Sequence, residues 1–124
     1  MRQSSRNLTL ILSSVLILSI FLYCPQVSLA TPPQEVKLEY DANSQTLAVS
    51  ITHNSVFPSF HYIKTVEIKK DGKIVSTNTY ENQPSPETFI YRYTVPAADG
   101  ETLEVTATCN MYGSKTVNIM IAKK

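Results

Sequence analysis

Apolar and polar residues alternate with a period of two through most of the chain from residue 36 onward. Seven segments show this alternation or a strand-like composition, and none repeats apolar residues at the period of a helix. The segments are 36–40, 47–51, 61–69, 73–80, 89–95, 102–109 and 115–122. Two antiparallel sheets packed face to face would bury the apolar side of every segment. The sequence therefore predicts an all-β, immunoglobulin-like antiparallel β-sandwich of about seven strands.

Residues that favour turns separate these segments. Asp71-Gly72 stands between two β-rich runs and predicts a tight hairpin of type I′. A turn at 41–44 joins the first two segments, and Pro84 and Pro86 interrupt the chain before the fifth. In the third segment Ile63 has the opposite parity from Val66 and Ile68, which predicts a strand that is covered in part on both faces.

The first thirty residues have the pattern of an export signal. Arg2 and Arg6 precede an almost wholly apolar run at 8–22, and Ser28-Leu29-Ala30 places small residues at the two positions that a signal peptidase inspects. The pattern predicts cleavage after Ala30 and export to the periplasm, the cell surface or the medium. A retained membrane anchor is the alternative, although the apolar run is shorter than the roughly 20 residues that span a bilayer.

Residues 31–124 have the length of one small domain. Of the 11 basic residues, Arg2 and Arg6 belong to the signal peptide, so nine remain against ten acidic residues. A surface with this balance has no general attraction for nucleic acid, which excludes nucleic-acid binding as the function.

The candidate site residues are the strongest transition-metal donors of this domain. Cleavage removes Cys24 and leaves Cys109 as the single cysteine, accompanied by the only two histidines, His53 and His61. Each is predicted at the end or the start of a strand. Imidazole and thiolate suit iron, copper or zinc, and three donors leave coordination positions open for a small molecule. The alternative is structural, with hydrogen-bonded histidines and a buried cysteine.

Three runs of sequence resemble the iron domain of the desulfoferrodoxin and superoxide reductase family. They are VSITH at 49–53, HYIKTVEI at 61–68 and ATCNMYG at 107–113, and the resemblance covers most of residues 35–122. It implies an iron centre with His53 and His61 as equatorial ligands and Cys109 as the axial thiolate. It also implies reduction of superoxide at an open position, a separate electron-donor protein and a homodimer.

The chain lacks two of the four histidines of that family. Tyr112 stands where the loop histidine is expected, and no histidine occurs at 31–52. The remaining set of two imidazoles and one thiolate also suits copper or zinc. Tyr112 is interpreted either as a phenolate ligand or as a buried or stacking side chain, and Met111 as a thioether ligand.

Three functions follow as hypotheses. The first is an exported iron-binding oxidoreductase that reduces superoxide or a related small oxidant. The second is a non-catalytic secreted binding module that has lost the iron site and uses the apolar loop at 54–60. The third is a carrier or sensor that uses Cys109 as a free thiol. No cysteine-protease motif and no glycine-rich phosphate loop occurs in the sequence.

Overall fold

The computed structural model describes residues 31–122, together with Asn7 and Ile11. The predicted signal peptide, apart from those two positions, lies outside the described residues. Residues 31–122 contain seven strands and no helix, as the alternation predicts. The strands are β1 (Glu35–Asp41), β2 (Thr46–Thr52), β3 (Ile63–Lys70), β4 (Lys73–Thr79), β5 (Thr88–Thr94), β6 (Thr102–Cys109) and β7 (Ser114–Met120). Within the described part of the chain, no helix has the length and apolar character needed to cross a membrane.

The strands form two antiparallel sheets. One sheet has the order β1-β2-β5 and the other the order β4-β3-β6-β7. The third and sixth strands are thus the central pair of the larger sheet, and β1 packs beside β7 where the two sheets meet at one edge. The predicted immunoglobulin-like sandwich is confirmed.

The core lies between the sheets and consists of side chains from alternate positions. In β6 every second residue is buried, from Leu103 to Cys109. Branched aliphatic side chains dominate because they pack well on a pleated surface. The fully buried hydrophobic residues of the core are Leu47, Val49, Ile51, Ile63, Val66, Ile68, Leu103, Val105 and Ala107.

The predicted hairpin between β3 and β4 is also confirmed. Asp71 and Gly72 both have positive φ angles, 47° and 82°, as a type I′ turn requires. At the hairpin between β1 and β2, the Asp41 carboxylate accepts hydrogen bonds from the Asn43 amide and the Ser44 hydroxyl. These bonds stabilise the turn predicted at 41–44.

The prediction that β3 is covered on both faces is wrong. Ile63 and Val66 are both fully buried in the same core although they have opposite parity in the sequence. The register with β6 shifts between Ile63 and Thr65, where one residue is extra on β3. This β-bulge turns Ile63 back towards the core, so the strand has one buried face.

The same register brings three chain segments to one end of the sandwich. Ile63 pairs with Cys109, so β3 begins where β6 ends. Strand β2 ends at Thr52, and the loop at 53–62 connects it to β3 at this same end. Residues just beyond these strand ends therefore meet across the two sheets.

Replacement of a core isoleucine tests this packing. We expect Ile68→Ala to lower the free energy of unfolding by about 2–5 kcal/mol, because Ile68 is fully buried and the truncation leaves a cavity. The same substitution at Ile74 on the neighbouring strand, where the side chain is 59% exposed, is the control and costs about 1 kcal/mol or less. Denaturant unfolding of both variants measures the difference, and equal losses would contradict the assignment of the core.

Candidate metal centre

The structure brings His53, His61 and Cys109 together. Their possible ligand atoms all lie within 4.8 Å of one another, although the residues are up to 56 positions apart in sequence. All three side chains are buried, with exposures of 0%, 7% and 5% respectively. The two imidazole rings meet edge to face with their centroids 4.5 Å apart.

His61 and Cys109 are in direct contact. The Nε2 atom of His61 lies 3.1 Å from the sulfur of Cys109. Burial is the main reason why the pKa of His61 lies below its usual value of 6.5, and the charge of His53 lowers that pKa further. The carbonyl of Thr31 acts in the opposite direction and raises the pKa of His61. A neutral imidazole is the form that can donate a lone pair to a metal ion.

Asn110 holds this pair in place from outside. Its side-chain oxygen accepts a hydrogen bond from the Tyr62 amide at 3.0 Å, and its side-chain nitrogen donates to the Phe60 carbonyl at 2.9 Å. Its own backbone amide donates to the Tyr62 carbonyl. Asn110, the residue that follows Cys109, is thus hydrogen-bonded to both neighbours of His61 in the sequence.

Gln83, in the loop between β4 and β5, is a site residue that the sequence reasoning missed. Its side-chain nitrogen donates to two carbonyl oxygens, of His53 at 2.9 Å and of Ser85 at 2.8 Å. Its side-chain oxygen accepts from the Ile63 amide at 3.3 Å and lies 2.7 Å from Nδ1 of His53. The backbone partners determine which end of the amide is oxygen, so Nδ1 of His53 must carry a proton and donate it.

This assignment leaves Nε2 of His53 in an unusual position. In a neutral ring whose proton is on Nδ1, Nε2 has only a lone pair. Nε2 lies 2.9 Å from the carbonyl oxygen of Thr31, which is also an acceptor. Two lone pairs at this distance repel each other unless a cation lies next to both of them, and either a proton or a metal ion meets that need.

The loop that follows Cys109 contacts its sulfur. The Met111 amide nitrogen lies 3.4 Å from the sulfur and donates to it. The Cys109 amide itself donates to the Gly113 carbonyl at 3.0 Å, which closes the loop between β6 and β7. The sulfur also lies 3.8 Å from the side-chain oxygen of Asn110, to which a thiol would donate, so the contacts of Cys109 accommodate the thiol as well as the thiolate.

The distances suit a transition metal. With bonds of about 2.0–2.1 Å to nitrogen and about 2.3 Å to sulfur, a nitrogen and a sulfur at right angles around a metal are about 3.1 Å apart. The His61 Nε2 to Cys109 Sγ distance is 3.1 Å, although a hydrogen bond can have the same length. Ligands on opposite sides are about 4.0–4.4 Å apart. A group confined within 4.8 Å needs to contract by less than about 1 Å to bind.

A cleft of about 1060 Å³ opens beside the group. His61 lines it, together with Val56, Phe57, Phe60 and Met111. The three residues of the loop at 54–60 in this set are largely exposed, so the apolar loop predicted as a docking tip forms a wall of the cleft. The cleft gives a small molecule access to the His61 side of the group.

Two interpretations of neighbouring residues need revision. Tyr112 is 63% exposed, so the prediction of a buried or stacking tyrosine is wrong. Gly113, with a φ of 74°, follows Tyr112 in the loop between β6 and β7. Met111 is half exposed, and the contact with Cys109 comes from its backbone amide.

Comparison with known proteins assigns this chain to no family. No protein-family model matches the chain, and no curated protein is significantly similar to it.

Replacement of Gln83 tests its role in holding His53. We expect Gln83→Ala to lower the free energy of unfolding by about 3 kcal/mol or more, because it leaves several buried donors and acceptors without partners. Asn82→Ala removes a neighbouring exposed amide and is expected to change stability by about 0.5 kcal/mol or less. Chemical denaturation compares the two, and a Gln83→Ala variant as stable as the Asn82→Ala variant would contradict this role.

Proposed function

We propose that the chain is an exported, desulfoferrodoxin-like metal-binding domain that acts as an oxidoreductase on superoxide or a related small oxidant. The observation that carries this proposal is the buried group of His53, His61 and Cys109, with all ligand atoms within 4.8 Å. The resemblance at 49–53, 61–68 and 107–113 supports it, because the three donors occupy the corresponding family positions. Iron is the metal that the resemblance implies, and copper or zinc also suits these ligands.

Each residue has a distinct task in this proposal. Cys109 would supply its sulfur as the thiolate ligand, and the Met111 amide donates a hydrogen bond to this sulfur. His61 donates from Nε2 and borders the cleft, so it stands between the metal position and the incoming molecule. His53 donates from Nε2 because Gln83 keeps the proton on Nδ1. The loop at 54–60 forms one wall of the cleft through which the small oxidant would approach.

When iron is bound, it would supply the one-electron chemistry that reduces the oxidant. A separate electron-donor protein would then return the electron, since residues 31–124 contain no second cysteine-rich centre. The homodimer implied by the resemblance stays a prediction.

Metal analysis tests the proposal directly. We expect residues 31–124, prepared anaerobically with Fe²⁺, to retain about one metal ion per chain after removal of excess metal, and to lose it in Cys109→Ser and His61→Ala, since each removes one of three donors. Met120→Ala is the control, because Met120 is exposed and pairs with Thr102 at the end of β6 opposite Cys109. The same titration with Cu⁺ and Zn²⁺ identifies the preferred metal, and superoxide consumption is measured on the iron-loaded protein.

A folded protein that binds none of these metals would contradict the proposal. Circular dichroism of the variants distinguishes loss of the ligand from loss of the fold. Unchanged metal content in Cys109→Ser would show that any bound metal lies elsewhere.

A binding module is the second candidate, and the apolar cleft favours it. Val56, Phe57 and Phe60 are all strongly exposed around one opening. If the domain is a module without metal, an apolar fluorescent probe should bind the folded, metal-free protein. Joint replacement of Phe57 and Phe60 by serine should weaken that binding. A thiol carrier fits less well, because Cys109 is only 5% exposed.

A further inference from the structure

The residue that follows the predicted cleavage site lies at the candidate metal centre. Thr31 is the first residue after Ala30, and its carbonyl oxygen is 2.9 Å from Nε2 of His53. Thr31 also lines the cleft together with His61. The signal-peptidase pattern and this placement are independent observations that meet at one residue.

A set of contacts holds this N-terminal segment against the site. Pro33 is buried, and the Gln34 amide donates to the Thr52 carbonyl at 2.9 Å. Lys115 donates from its side chain to the Gln34 carbonyl. These contacts attach the segment to β2 and β7, so Thr31 enters the site from a fixed direction.

Gly113 provides the space for the same segment. A Cβ atom at Gly113 would lie 2.8 Å from Cβ of Pro32, which is closer than side chains pack. The missing side chain therefore lets Pro32 pack directly on the loop that follows Cys109. Pro32, the neighbour of Thr31, is thus in contact with Gly113 in the loop that follows Cys109.

We propose that removal of the signal peptide completes the metal centre, with the new α-amino nitrogen of Thr31 as a further ligand beside His53, His61 and Cys109. Hydrolysis of the bond between Ala30 and Thr31 consumes one water molecule and leaves a carboxylate on Ala30 and an amine on Thr31. The amide nitrogen of the uncleaved chain has no lone pair available for a metal, whereas the free amine has one. This inference rests on the proposed function.

Covalent geometry limits how far the amine can lie from His53. The nitrogen and carbonyl oxygen of one residue are at most about 3.6 Å apart, so the Thr31 nitrogen lies within about 6.5 Å of Nε2 of His53. Rotation about a single backbone bond brings this nitrogen and oxygen to about 2.7 Å from each other, the spacing of a five-membered chelate.

The distance between the Thr31 oxygen and Nε2 of His53 is compatible with both atoms binding one metal ion, although it is also the length of a hydrogen bond. This distance of 2.9 Å equals that of an oxygen and a nitrogen at right angles around one metal, with bonds of about 2.0–2.2 Å. A cation shared by these two atoms would also remove the repulsion between their lone pairs. Thr31 can thus supply donors where this chain lacks two of the four histidines of the family that it resembles.

The test compares two chains that differ by one residue. The full chain is first expressed with its own signal in a bacterial host, and mass spectrometry of the exported protein locates the mature N-terminus. Residues 31–124 and residues 30–124 are then titrated with Zn²⁺. We expect about tenfold weaker affinity, or a larger loss, for the chain that begins with Ala30, because loss of even a supporting partner of a ligand costs about 10- to 100-fold.

Labelling of the amine provides a readout that is independent of affinity. An acylating reagent should modify the Thr31 amine readily without metal and slowly with Zn²⁺ bound, and the lysine side chains of the same sample serve as the internal reference. In residues 30–124 the N-terminal amine should react equally with and without metal.

Four results would overturn the inference. Three of them are cleavage at another bond, equal Zn²⁺ affinity of the two chains, and equal labelling of Thr31 with and without metal, and all three leave the proposed function intact. The fourth is failure of both folded chains to bind Zn²⁺, Fe²⁺ or Cu⁺, which would overturn the proposed function as well.

Discussion

The pairing of β3 with β6 is the constraint on which the rest of the structure depends. These two strands form the middle of the four-stranded sheet, and their fully buried side chains make up much of the core. Because Ile63 is opposite Cys109, the same register sets the start of one strand and the end of the other. His61 and Cys109 can meet only in this register, since a shift of one residue would turn every side chain of a strand to the opposite face. Because of the bulge after Ile63, Ile63 and Val66 both face the core while Ile63 stays paired with Cys109 at the site.

Much of the fold can be predicted from the sequence, because the sequence patterns that indicate strands and turns are local. Alternation along β2 and β6, β-branched residues, and the Asp71-Gly72 turn each act over a few residues, and each gives the element observed. The bulge in β3 escaped this reasoning, because parity alone reads Ile63 as outward-facing, whereas pairing with β6 makes it inward-facing. The exposure of Tyr112 escaped it too, because Tyr112 lies in the loop between β6 and β7, where no alternation indicates which side chains are buried.

The site is only partly predictable for a related reason. His53, His61 and Cys109 stand out as rare donors at strand ends, which is enough to expect them at one end of the sandwich. Gln83 is flanked by no periodic pattern, and its four contacts reach three separate segments of the chain. Thr31 likewise precedes the first alternating segment and belongs to no sequence pattern. Contacts of this kind arise from the packing of loops at the end of two sheets, and no spacing along the sequence encodes them.

The hydrogen-bonding pattern around His53 calls for a positive charge at its Nε2 atom, which either a proton or a metal ion supplies. A structural cluster would be expected to pair each acceptor with a donor, because an unpaired buried polar atom costs about 1–3 kcal/mol. Every buried side-chain nitrogen and oxygen within residues 31–122 has a partner, so the chain meets this requirement in general. At His53, however, Gln83 holds the proton on Nδ1, and Nε2 then faces the Thr31 carbonyl. A positive charge at that point is needed to make the contact favourable. A proton on Nε2 would complete a structural cluster, whereas a metal ion at the same point would have His61 and the Cys109 sulfur as its neighbouring donors.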